Sequence, residues 1–284
     1  MKSAIGIFDS LQKVWESKVA ARNMSYFLTG VFVGTAILAF ANQAGWFGTH
    51  FLLSKIVLTD AIEFSFNFLL FFEMIGLTFV IPQSIANSIG KQFQIMSLIF
   101  LRTSFEELSH LSLDSGFEEQ AGTVARMGVD ALAALLIFAL IGRYYGLQKH
   151  RQIVEATEKI RFVNLKKLVA AGVLLGLFYS VWGDLKHYLD TGDFHPSYHR
   201  FYLMLIFADT VLMLSAFRYV IHFPDVFRYS AFVLVTIFIR IALMAPAYYN
   251  VLLGLAAVLF GIGVVYLHNG YLDGRLKYIE AHRS

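Results

Sequence analysis

No cysteine occurs among the 284 residues. Disulfide frameworks, thiolate metal sites, iron–sulfur clusters and cysteine nucleophiles are thereby excluded. Charge is scarce as well. Only 15% of residues are charged against 57% hydrophobic, where soluble domains carry about 25% charged residues. With a mean hydropathy of +0.62, the composition predicts an integral membrane protein. Neither a Walker loop nor a dinucleotide-binding glycine fingerprint is present, so nucleotide chemistry has no foothold. Gly-x-Ser-x-Gly and Ser-His-Asp arrangements are missing too. No histidine sits well inside an apolar run, and His222 and His268 fall near the ends of theirs, which argues against a bis-histidine haem.

What the chain does contain is long apolar runs. Eight are read, at 24–43, 61–82, 94–112, 124–146, 166–187, 200–221, 229–247 and 249–268. Most approach the roughly 20 residues that cross a hydrocarbon core as a helix, and lipid favours helices because it offers the backbone no partners. The third run is interrupted by Arg102, Glu106 and Glu107. Eight crossings distribute the 23 Lys and Arg residues as 17 on one side and four (Lys55, Arg126, Lys186, Arg200) on the other, with Arg102 and Arg240 inside spans. By the positive-inside rule both termini are then cytoplasmic. The net charge of +3 is less informative than this placement.

Residues 1–22 lack the apolar core of about 7–15 residues and the cleavage site of a signal peptide. Ile5, Phe8, Leu11, Trp15 and Val19 recur at helical spacing instead, as expected of an amphipathic helix on the cytoplasmic interface. A basic cytoplasmic loop at 147–165 carries Glu155 and Glu158 at helical spacing with Lys159. It divides the chain into four-span units at 23–146 and 166–270, with a cytoplasmic tail at 271–284. The loop is expected to meet anionic lipid headgroups.

The two units share a charge pattern. Glu73 and Asp209 fall near the centres of the second and sixth runs, and Arg102 and Arg240 near those of the third and seventh. The arginines close similar strings, Leu98-Ile99-Phe100-Leu101-Arg102 and Thr236-Ile237-Phe238-Ile239-Arg240. The last run of each unit carries a small/apolar stretch, beginning at Asp130 in one and Asn250 in the other. An even number of spans per unit means that both face the same way. The expected fold class is therefore an all-α integral membrane protein with eight transmembrane helices in two parallel four-helix repeats. A charge at mid-membrane costs about 2.5–3.5 kcal/mol on insertion scales, so Glu73 is expected to pair with Arg102 and Asp209 with Arg240.

The string His222-Phe223-Pro224, then Arg228-Tyr229, then Arg240, ahead of a small/apolar fourth span, resembles the phosphate-starvation-inducible PsiE family of four-span bacterial membrane proteins. The first unit keeps Phe72-Glu73-Met74-Ile75-Gly76-Leu77, where that family carries an acidic residue in its second span. Asp209 stands at the corresponding position of the second unit. The resemblance covers 199–270 well and 61–145 loosely. Departures are Ile81-Pro82 without a His-Phe-Pro string, and Gly90-Lys91 in place of the Arg-Tyr step. It implies fold, topology and the bacterial inner membrane, and no reaction.

Two functions are open on these residues. The charges line a polar track for an ion or small polar solute, with Glu106, Glu107 and Asp130 as further members, or they hold the bundle of a non-transporting scaffold or regulatory subunit. An intramembrane enzyme is the third and weakest class. No resident cofactor is expected. The Glu107-x-x-His110 step has the spacing of carboxylate-bridged metal sites in bundles, and Asp184 with His187 lies on the same outer side. A divalent cation at the outer face, zinc for such ligands, competes there with an ordinary solvated rim. Expected partners are membrane lipids and a second copy of the chain in a homo-oligomer. Nucleic acid is not expected.

Overall fold

In lipid a helix needs no outside partner for its backbone, and each apolar run that falls in the described segments is helical. The computed structural model describes residues 2–44, 58–110, 117–148, 156–191, 198–218 and 222–281. Among these residues there are nine α-helices and no strands: α1 (Lys2–Trp15), α2 (Lys18–Gln43), α3 (Leu58–Val80), α4 (Ile85–Glu106), α5 (Phe117–Leu147), α6 (Ala156–Thr191), α7 (Tyr198–Ala216), α8 (Phe223–Met244) and α9 (Tyr249–Ala281). A 3₁₀ turn, Glu107–His110, follows α4. Seven helices, α2, α3 and α5 to α9, are long and apolar enough to cross a membrane.

The third expected span, now α4, falls short of that criterion for a physical reason. It packs against α3, α5, α8 and α9, and its polar side chains are spent on those neighbours. Ser97 donates to the Ala134 carbonyl at 2.9 Å and Ser104, two turns on, to the Met127 carbonyl at 2.8 Å. Such hydrogen bonds tie helices together where lipid cannot compete. The helix also begins at Ile85, nine residues before the expected run.

Local chemistry sets several boundaries. Ser17 separates α1 from α2 and accepts from the Ala20 amide at 3.1 Å, as N-cap serines do. Pro224 in the first turn of α8 and Asp225 beside it start that helix at Phe223, ahead of the expected 229. Ala245, which precedes Pro246, is extended and ends it. Tyr248 takes a positive φ of 72° in the short connection to α9.

Two apolar clusters form the core, and each draws on both halves of the chain. One gathers α4, α5, α8 and α9 around Phe93, Phe100, Tyr144, Phe232 and Ile239. The other gathers α1, α3, α6 and α7 around Phe8, Leu77, Leu177 and Phe201. Helix α1 therefore lies on the bundle. Phe8 is buried with its ring 5.3 Å from that of Phe79, and Asp9 pairs with Lys167 of α6 at 2.7 Å. Leu11 and Val19 of the same expected stripe are exposed.

Within each half, consecutive helices pack in the same order, α2 on α3 on α4 on α5 and α6 on α7 on α8 on α9. Between halves, α4 meets α8 and α5 meets α9. Asn250 donates to Asp130 at 3.2 Å and Asn269 to the Leu147 carbonyl at 2.7 Å. Residue numbers rise together along both helices, so α5 and α9 run parallel.

Candidate functional site

The four charges of the two acid–arginine pairs sit at matching helix positions. Glu73 lies seven residues before the end of α3, and Asp209 seven before the end of α7. Arg102 and Arg240 are each the eighteenth of 22 residues, in α4 and α8. The arginines are thus four residues from their helix C-termini, nearer the ends than the apolar runs suggested. Each acid meets its arginine. Arg102 Nη1 is 3.5 Å from Glu73 Oε2, and Arg240 Nη2 is 3.8 Å from Asp209 Oδ2.

The pairs are not equivalent. Arg102 also donates to the Phe66 carbonyl at 3.2 Å, which ties α4 to α3. Arg240 is 0% exposed, and its Nε and both terminal nitrogens have no hydrogen-bond partner among the described residues. A guanidinium offers five N–H donors. Burying them unmet is costly enough that such groups in native proteins nearly always meet protein or ordered water.

Tyr202, buried on α7, lies within electrostatic reach of Arg102, Arg240 and Glu73. One turn earlier, Tyr198 donates to Asn67 Oδ1 at 2.7 Å and lies within reach of Arg102, Glu106 and Asp184. A buried face of α7 thus carries a polar column from Tyr198 through Tyr202 to Asp209. Beyond Asp209 the column opens into a cavity of about 30 Å³ between α4, α6, α7 and α8. That exceeds the roughly 10–15 Å³ that one water requires. Its polar walls include Gln83, Ser88, Gln92, Lys166, Asp209, Tyr229 and Thr236. Lys166 is buried, donates to the Gln83 carbonyl at 2.9 Å and stands 4.9 Å over the Phe162 ring. Gln92 donates to Ser88 at 3.1 Å. Gln92 Oε1 and Asp209 Oδ2 are buried without hydrogen-bond partners among the described residues.

The other candidates scatter around this column. Glu106 ends α4 and is half-buried. Glu107 lies 3.9 Å from Arg126. Asp130 is buried, bonded to Asn250, and sits within electrostatic reach of Glu107. His110 closes the 3₁₀ turn, and its side chain lies outside the described residues, as do His50 and His195. Asp184 is half-buried and His187 exposed, both on α6. Among the described residues no group of three or more His, Asp or Glu side chains is placed to hold a metal ion.

Sequence reading passed over Lys166, Gln92, Tyr202 and the bonding role of Asn250. Lys166 counts with the basic inner side, and Lys166-Lys167 within Leu165 to Val169 does not by itself say which lysine turns toward the bundle. Tyr202 is signalled by its spacing of seven from Asp209, which keeps both on one face. No family model, no curated protein and no solved structure matches the chain.

Proposed function

We propose that the chain is a multi-pass membrane protein that passes an ion or small polar solute through its interior, with Asp209 and Arg240 at the working site. The observation that carries this reading is the fully buried Arg240, whose side-chain nitrogens have no hydrogen-bond partner among the described residues, beside an acid that lines a polar cavity. Intramembrane charges that are not consumed by packing mark solute paths. The Glu73–Arg102 pair has a different part. With Arg102 also bound to the Phe66 carbonyl, it holds α3 and α4 in register.

The same proposal takes the chain as two PsiE-like units in tandem, with eight crossings, both termini cytoplasmic, in a bacterial inner membrane. Matching helix positions for all four charges support the duplication, and parallel α5 and α9 support equal orientation of the units. Anionic headgroups would meet the basic loop. A second reading, a scaffold whose charges only hold the bundle, is favoured by the interhelical bonds of Ser97, Ser104 and Asn250.

The test is ion flux in proteoliposomes loaded in turn with proton, sodium, potassium and chloride gradients. Transport requires a flux above that of empty liposomes that is lost in a folded Asp209→Asn protein. Equal flux with and without protein, for every gradient, favours the scaffold.

A further inference from the structure

We propose that the species handled at the interior site is the proton and that Lys166 carries it, with cavity water as the first acceptor and Asp209 and Arg240 as a fixed ion pair beside it. The inference rests on the transport reading for its physiological role, and it adds the identity of the species.

The argument begins with charge balance. Among the described residues, Lys166 and Arg240 face a single carboxylate, Asp209, in a region where all three residues are at most 8% exposed. One positive charge is left over, and unbalanced charge in such surroundings is expensive. Arginine does not release its proton in proteins, whereas buried lysine does so readily. The surplus can therefore be discharged only at Lys166.

The walls of the cavity favour water over an ion. A metal cation would find Gln92 Oε1 and Asp209 Oδ2 but would sit against the Lys166 ammonium. An anion would meet the ammonium but face those same two oxygens. Water suits both kinds of wall, able to accept from Lys166 Nζ and to donate to Gln92 Oε1 or Asp209 Oδ2, and the cavity of about 30 Å³ has room for it. The step is a simple proton transfer. One N–H bond of the ammonium breaks, the cavity water takes the proton and passes one of its own on to bulk water, which carries the surplus charge out of the region, and no electrons change hands. Lys166 becomes a neutral amine, and Asp209 and Arg240 remain as a balanced pair.

Among the described residues, few other titratable or charged groups bear on Lys166. From α7 there is Asp209, and from α8 Tyr229 and, behind Asp209, Arg240. From α1 there is Asp9, which is bound to Lys167. The α3–α4 side presents the neutral Gln83, Ser88 and Gln92. On α6 itself Arg161 is exposed. The Phe162 ring and the Gln83 carbonyl hold the ammonium in place while it is charged.

Two measurements test the proposal. The first is nitrogen NMR of protein labelled at lysine Nζ, in which the signal missing from Lys166→Met identifies Lys166. Conversion of that signal from ammonium to amine as pH rises, while the protein stays folded, is the expected result. A signal that remains ammonium throughout overturns the proposal. The second is proton flux in proteoliposomes. Lys166→Met and Lys166→Arg are both expected to fall to the level of empty liposomes, and Gln92→Leu, which removes a water anchor, to lower the flux. Full flux in Lys166→Arg overturns the proposal, and that variant carries the test if Lys166→Met does not fold. Wild-type flux of chloride or sodium without protons defeats the proton assignment and leaves transport standing. Absence of any flux defeats transport, and the NMR titration then decides the protonation of Lys166 alone.

Discussion

Asn250 Nδ2 donates to Asp130 Oδ1 at 3.2 Å, joining two residues that begin the corresponding small/apolar stretches of the two halves. The bond ties α5 to α9, and α4 packs beside α8. Asp130 and Asn250 are both buried, so the bond matters energetically. Asn250→Leu leaves the Asp130 carboxyl without this donor, at a cost of about 1–3 kcal/mol. Thermal unfolding in a single detergent is expected to show a lowered midpoint, and Asp130→Asn in the same background to recover part of it. An unchanged midpoint in Asn250→Leu would remove the bond from the account.

Glu73 and Arg102 form the pair assigned to assembly. Glu73→Gln or Arg102→Leu alone leaves one buried charge uncompensated, a loss of about 3–5 kcal/mol. The double change removes both charges and is expected to recover most of the folded yield, with flux retained. Detergent-resistant monodisperse protein measured for the three variants checks this. A double variant that folds but transports nothing would move this pair into the working site.

Two glycines of α9 receive rings from α4. A β-carbon at Gly254 would come within 2.7 Å of the Phe100 ring, and one at Gly261 within 2.9 Å of the Phe93 ring. Both phenylalanines are buried and cannot swing away cheaply. Gly261→Val therefore forces α4 and α9 apart, with a destabilisation of about 1–3 kcal/mol or more. Gly263, which has open space around its Cα, is the control. Gly263→Ala is expected to unfold at the wild-type temperature in the same thermal assay.

The lack of native cysteine makes topology directly measurable. Eight crossings put residues 3 and 284 on the same side, whereas seven would put them on opposite sides. Ser3→Cys and Ser284→Cys are each expected to react with an impermeant maleimide only after the cytoplasmic face is opened. Labelling of one of them from outside intact cells would reduce the count to seven and remove α4 as a crossing.

How far the sequence foretold this structure depended on what each residue packs against. The helices were legible because long apolar runs admit little else in lipid, and both acid–arginine pairs were legible from repetition and the cost of isolated charge. The status of α4 was obscured because hydropathy averages over a helix. Ser97 and Ser104 count against it there, yet both are bonded to α5. Lys166 was missed because a basic residue near a helix start resembles the solvated rim that the positive-inside rule counts. Its inward direction is fixed by α6 packing on α3 and α7, which no local pattern reveals. The difference between the two pairs was likewise hidden, since the Phe66 carbonyl that holds Arg102 is a backbone atom.

The working role of Arg240 and Asp209 is tested most directly by an experimental structure of the protein in lipid nanodiscs with ordered water visible. The account predicts water within hydrogen-bonding distance of the Arg240 guanidinium and in the cavity bounded by Lys166, Gln92 and Asp209. A dry interface, with Arg240 fully bonded to protein groups and the cavity closed by side chains, would contradict it.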